Sequence, residues 1–260
     1  MGILKNIKLT ISYDGTDYAG WQRQANNKTI QGILEDTLRK ITDEKGLKLY
    51  GSGRTDAGVH AIGQVANFKT TADIPVDKWA IILNNFLPSD IRIKFAKEVS
   101  DEFHSRYDAR SRIYRYYIIN KVRKSQIFKA KDLFLSRYCS FYNYPLEIEK
   151  MEETAKYLLG THDFSALSCL NQRSGKLPDN KIRNIKKISI TKKEPLIIFS
   201  IEANAFLYKM VRKIIGTLLD FSIKQYEPES ILEILKNKNN QKSGKVIPPN
   251  GLYLMKVRYQ

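Results

Sequence analysis

The order of two periodicities limits what this chain can fold into. Ile7, Leu9, Ile11 and Tyr13 alternate with Lys8, Thr10 and Ser12, the pattern of a half-buried strand, and Asp14-Gly15 ends it as a turn. Ile30, Ile33, Leu34, Leu38 and Ile41 then recur at helical spacing, with Gly46 just beyond. Residues 47–50 and 63–68 read as strands, 79–86 as a helix stopped by Pro88, and 91–99 as another strand. That is β-α-β-β-α-β. The order then repeats with different residues: a strand at 113–119, an amphipathic helix at 146–159 stopping at Gly160, a hairpin at 182–191 and 196–203, helices at 206–221 and 230–236, and a closing strand at 252–257. The expected fold is α+β, with two ferredoxin-like halves (1–108 and 109–260). Each would have an antiparallel sheet with helices on one face. A cleft between the halves is the expected ligand site.

Composition narrows the partner. Forty-four Lys and Arg face 27 Asp and Glu, a net charge of +17 in 260 residues. Such an excess predicts a polyanionic partner, although any one basic run also reads as a solvated loop. Three loops between elements carry it: 120–131, 170–183 and 236–245. No apolar run reaches membrane-spanning length. The start goes straight into a strand, so no signal peptide is expected, and Asn6 stands where a myristoylation signal needs Ser or Thr. Cys139 and Cys169 form no C-x-x-C pair, and His60, His104 and His162 lack metal-ligand spacing with them. Reduced thiols, no metal and a cytoplasmic location are the expectations.

Residues 51–61, GSGRTDAGVHA, resemble a phosphate loop only at first sight. Against G-x-G-x-x-G, the third glycine position is Asp56, whose carboxylate would repel phosphate. Against G-x-x-x-x-G-K-[ST], Val59 and His60 follow Gly58. The segment reads as a polar turn presenting Arg54 and Asp56. A guanidinium near a carboxylate favours its ionised form, and a positioned carboxylate can be a nucleophile. Local pattern alone favours a turn aspartate that satisfies its own backbone.

GRTDAGVHA at 53–61 is similar to the active-site motif of the TruA-type tRNA pseudouridine synthase family. YDGTDYAGWQRQ at 13–24, NNFLPSDI at 84–91, FHSRYDARSRIYRY at 103–116, ANAFLYKMVRKIIGTL at 203–218 and PPNGLYLMKV at 248–257 resemble further family motifs, in register over nearly the whole chain. The resemblance implies conversion of uridine to pseudouridine at positions 38, 39 and 40 of the tRNA anticodon stem-loop. It also implies a homodimer, with no cofactor and no metal. It makes Asp56 the catalytic carboxylate, Arg212 its basic partner, Tyr114 the ring that stacks on the target base and Leu252 an apolar pocket residue. Phe103, His104, Ser105, Arg106 and Tyr107 fall where the family contacts RNA, and Arg54 is expected to hold a phosphate or help extrude the base. Each has a plainer reading. On pattern alone, Tyr114 is an ordinary strand aromatic, Leu252 is core, and Arg212 with Lys209 lies on a solvated helix edge. Asp14, Tyr18, Trp21 and Gln22 read as scaffold around the cleft, and His60 and His162 as structural or as supports behind the residues that touch substrate. Ser105 departs from the alanine common at its position. The main rival from another class is a non-catalytic tRNA-binding or RNA-folding protein, which would not require Asp56, Tyr114 and Arg212; a third reading is a synthase acting at another tRNA position or on another RNA.

Overall fold

The computed structural model describes residues 3–120, 130–170, 175, 177–237 and 243–259. The chain forms two compact units, one of residues 1–110 with 253–260, the other of 111–252.

In the first unit the elements are β1 (Lys5–Tyr13), α1 (Ile30–Thr42), β2 (Tyr50–Gly51), β3 (His60–Thr70), α2 (Trp79–Phe86) and β4 (Ile91–Val99). The expected β-α-β-β-α-β order is there, with the second strand reduced to two residues because only Tyr50 and Gly51 pair with β3, opposite Asn67 and Ala66. β1 lies between β3 and β4, antiparallel to both. Its alternation is realised as read: Ile7, Leu9, Ile11 and Tyr13 are buried, and Lys8, Thr10 and Ser12 face outward. Thr29 caps α1 by accepting from the Gly32 N–H, and the helix buries Ile30, Leu34 and Leu38. Trp79 sets the edge of its ring to Phe68, 5.1 Å between centroids.

The sequence reading gave the closing strand to the second half. Instead β10 (Leu252–Arg258) continues from Tyr253 onward in the first unit, parallel to β3 with Tyr253 opposite His60 and Leu254 opposite Ala61. It docks where β2 leaves the β3 edge open. Gly63 permits the approach, since a Cβ there would lie 2.4 Å from the Met255 carbonyl oxygen.

The second unit holds β5 (Ser111–Asn120), α3 (Ala130–Leu135), β6 (Ser140–Tyr142), α4 (Ile148–Lys156), β7 (Gly160–Asp163), β8 (Ile182–Lys193), β9 (Leu196–Ala203), α5 (Met210–Lys224) and α6 (Ile231–Asn237). β5, β9, β8 and β7 pair in that order, all antiparallel, and β6 adds to β5 in parallel. α3, β6 and β7 have no counterpart in the sequence reading; GTHD and SFY are too short to show a period. α5 begins four residues later than its apolar stripe suggests, because Lys209 takes a left-handed φ of 58° and resets the chain direction. Of the basic loops, 121–129, 171–174, 176 and 238–242 lie outside the described residues.

Candidate active site

Asp56 sits in a tight turn between β2 and β3. The Val59 N–H donates to the Asp56 carbonyl (3.2 Å), with Gly58 at φ +75° in the third position, where an L side chain would be strained. Asp56 is half-buried and Arg54 exposed. The turn does not stand alone. The Trp21 N–H donates to the Thr55 carbonyl (3.0 Å), and the Tyr13 hydroxyl and Thr55 Oγ1 share a 2.8 Å hydrogen bond. Burial pushes the Tyr13 phenol well above its usual range.

Two glycines of the 13–24 motif explain its spacing. A Cβ on Gly20, whose φ is +93°, would lie 2.6 Å from the Thr55 carbonyl oxygen and 3.1 Å from the Asp56 carbonyl carbon. One on Gly15 would lie 2.0 Å from the Val59 carbonyl oxygen. The two therefore form a bracket in sequence, closing backbone against backbone on the stretch 55–59 that holds Asp56, Gly20 at residues 55–57 and Gly15 at Val59. Buried His60 lies 3.1 Å by Nδ1 from both the Gly15 N–H nitrogen and Asp14 Oδ1, and its ring stacks on Tyr253 at 4.6 Å. On the other flank, the Ser52 hydroxyl donates to Gln64 Oε1 (2.7 Å), and Gln64 Nε2 donates to the Gly53 carbonyl (3.0 Å).

Residues 103–107 divide by exposure. Ser105 is fully buried: its N–H donates to Asn67 Oδ1 (2.9 Å), its hydroxyl to the Tyr50 carbonyl, and its carbonyl accepts from the Tyr259 hydroxyl (2.8 Å). It presents no surface to RNA and holds the loop instead. This also accounts for serine in place of alanine, because the extra hydroxyl finds an acceptor. Phe103 is half-buried against Tyr259, with Lys8 Nζ 5.3 Å above its ring. His104 packs between Tyr50 (5.1 Å) and Tyr107 (4.4 Å), its ring tilted to both. Arg106 and Tyr107 reach into solvent.

In the second unit, Tyr114 lies on β5 opposite Ile201, 9% exposed, with its ring edge-on to Phe206 at 5.1 Å. Leu252 is buried at the start of β10, its N–H donating to the Pro249 carbonyl (2.9 Å). Arg212 is not on a solvated helix edge: it is only 9% exposed, and its Nε donates to the Ile247 carbonyl at 2.7 Å. Lys213 beside it is 8% exposed, with Nζ 3.4 Å from the Ser168 carbonyl, and burial lowers its pKa below the ordinary 10.5. Both cations occupy the first turn of α5, which contains no acid. The helix dipole is positive there, so this placement costs energy unless an anion offsets it. The sequence reading missed Lys213, although two cations at a helix start, where acids are expected, were a signal for it. It also underrated Gly15 and Gly20, whose roles depend on contacts some forty residues away in sequence. His162 lies in β7 and its Nε2 donates to the Leu159 carbonyl (2.8 Å).

Among the described residues, no group of three or more His, Cys, Asp and Glu could hold a metal ion, and no helix is long and apolar enough to cross a membrane.

The family model for tRNA pseudouridine synthase matches residues 9–108 and 154–260. The tRNA pseudouridine synthase A of Thermoanaerobacter sp. (strain X514) is 44% identical over 256 residues, 98% of this chain and 100% of that protein. The protein of the same name from Caldicellulosiruptor saccharolyticus is also 44% identical over 256 residues, with the same coverage of both chains. That of Halalkalibacterium halodurans is 39% identical over 249 residues, 96% of this chain and 90% of that one. With the matched segments taking in the Asp56 turn, its glycine brackets and the start of α5, the chain belongs to the tRNA pseudouridine synthase family.

Proposed function

We propose that this chain isomerises uridine to pseudouridine at positions 38, 39 and 40 of the tRNA anticodon stem-loop, with Asp56 as the catalytic carboxylate. Family membership makes it an isomerase acting on tRNA uridine. The observation that carries the assignment to Asp56 is the glycine bracket. Gly15 and Gly20 fix the backbone around one carboxylate, an expense of conformational freedom that a surface turn does not require.

Pseudouridine has the atoms of uridine, so the reaction needs no redox carrier and no group donor. The C1′–N1 bond breaks, the base turns, C5 bonds to C1′, the C5 proton leaves and N1 gains one. A carboxylate can begin this by attacking C1′, by removing the C2′ proton to give a glycal, or by adding to C6. The target base must leave the stack to be reached. Tyr114, as the resemblance implies, holds the uracil face, worth about 1–3 kcal/mol per stacked base. Arg212 supplies the cationic partner of the carboxylate and Leu252 the apolar wall. Arg54 meets the RNA backbone beside the target nucleotide. Phe103, His104, Arg106 and Tyr107 and the basic loops bind RNA by charge and stacking, and the protein acts as a homodimer without a cofactor.

Asp56→Asn is the decisive test. It is expected to abolish single-turnover pseudouridine formation while tRNA affinity stays within about threefold, since the binding cations are untouched. Substantial product from this variant would remove Asp56 from its role. Mapping pseudouridine in cellular tRNA with and without the protein tests the position, and unchanged signals at 38–40 would reject it.

A further inference from the structure

Arg54 is exposed, yet its orientation is set from inside the protein. Its Nε donates to Gln22 Oε1 at 2.9 Å. Gln22 Nε2 donates in turn to Gln31 Oε1 (2.8 Å), on the first turn of α1. The orientation of the Gln31 amide is fixed twice over. Its oxygen also accepts from the Arg23 N–H (3.0 Å), and its nitrogen donates to the Leu49 carbonyl (2.9 Å) and to Glu35 Oε1 (3.2 Å). Glu35 is buried, accepts from the Leu49 N–H (3.2 Å), and binds Arg23 Nε through its other oxygen at 2.6 Å. With Gln31 oxygen-outward, Gln22 must turn its nitrogen inward and its oxygen toward Arg54.

We propose that Gln22 is a positioning residue for Arg54. A chain of amides rooted on Glu35 and α1 fixes the plane of the guanidinium before RNA arrives, so that its planar fork meets the phosphate beside the target nucleotide without a search among rotamers. A long exposed arginine otherwise loses side-chain entropy when it engages the nucleotide as the target base leaves the stack, after tRNA is bound, and anchoring Nε removes much of that loss in advance. The proposal rests on the reading that Arg54 contacts the RNA.

The test is single-turnover pseudouridine formation on unmodified tRNA transcript at saturating enzyme, with tRNA affinity measured alongside. Gln22→Met keeps the length and removes both hydrogen bonds; it is expected to slow the step by about tenfold while affinity changes by less than about threefold. Arg54→Ala should slow it at least as much, and the double variant no further than Arg54→Ala alone. Gln22→Glu keeps an oxygen for Arg54 Nε but sets its second oxygen against Gln31 Oε1; it should run faster than Arg54→Ala, which also decides the matter if Gln22→Met does not fold. A double variant as slow as the product of the two single effects overturns the proposal, as does a Gln22→Glu rate at or below that of Arg54→Ala. A slow Arg54→Ala with Gln22→Met at the rate of the unaltered protein refutes the proposal alone. Arg54→Ala at the unaltered rate refutes the reading of Arg54 and the proposal together.

Discussion

The turn that carries Asp56 is shaped through its backbone: Gly20 and Gly15 let two strands of main chain approach to distances no side chain tolerates, and Trp21 and Tyr13 bond to Thr55 next door. The start of α5 is shaped the other way. Its backbone is ordinary helix after Lys209, and its peculiarity is two buried cations, Arg212 and Lys213, where the helix dipole disfavours them. One region stores its cost in conformation and the other in electrostatics. A conformational constraint holds a reacting group still whatever the solvent does. An electrostatic one varies with the charges around it, and so makes the region sensitive to any carboxylate or phosphate brought near.

Substitutions in the two regions should therefore fail differently. Replacing the electrostatic element is expected to have the largest effect on chemistry: Arg212→Met should slow single-turnover product formation by about a hundredfold or more. Helix content by circular dichroism should be preserved. A variant of near-normal rate would dissolve the contrast. Gly20→Ala should instead damage the fold itself, by about 3 kcal/mol or more in chemical denaturation, because a Cβ meets main chain at 2.6 Å on a residue of φ +93°. A stable, active Gly20→Ala protein would show that the turn can relax.

Lys213 sharpens the electrostatic side. Burial makes the folded protein hold this proton less tightly than the unfolded chain does, so just below pH 10.5 the unfolded state carries more protons. Stability should therefore gain from this group as pH rises through that window. Lys213→Met should flatten the gain in a denaturation series, and an unaltered pH slope would mean the lysine is solvated in practice. The smallest effects belong to the 103–107 loop. Arg106→Ala should weaken tRNA binding and reduce the salt slope by about one. Ser105→Ala, by contrast, should leave that slope alone and cost about 1 kcal/mol of stability. Equal salt slopes for the two would erase the division by exposure.

Long, regular elements were legible in the sequence because burial imposes a period on them: the alternation of β1 and the stripe of α1 fall where their residues say. GRTDAGVHA marked the Asp56 turn by composition alone. What stayed hidden depends on pairing across sequence distance. Nothing local in YDGTDYAGWQRQ says that Gly15 and Gly20 face residues 55–59, that Gln22 reaches Arg54, or that Ser105 lies under Tyr259. The plainer reading of Arg212, a solvated helix edge, failed for a related reason. Helical spacing placed it on a polar edge, but the Ile247 carbonyl that receives it comes from a segment beyond α6. β10 was assigned to the nearer half for want of any local sign that Gly63 leaves room for it.

That last strand has a bearing on how the protein is made. Tyr253 stacks on His60, which touches Asp14 and Gly15; the Tyr259 hydroxyl holds the Ser105 carbonyl; and the Arg110 N–H donates to the Arg258 carbonyl at 2.7 Å. Everything that completes the Asp56 neighbourhood on this edge is translated after the entire second unit. During synthesis the nascent first unit can hold the Asp56 turn by its own contacts, while the β3 edge beside it stays exposed until residues 253–259 have left the exit tunnel.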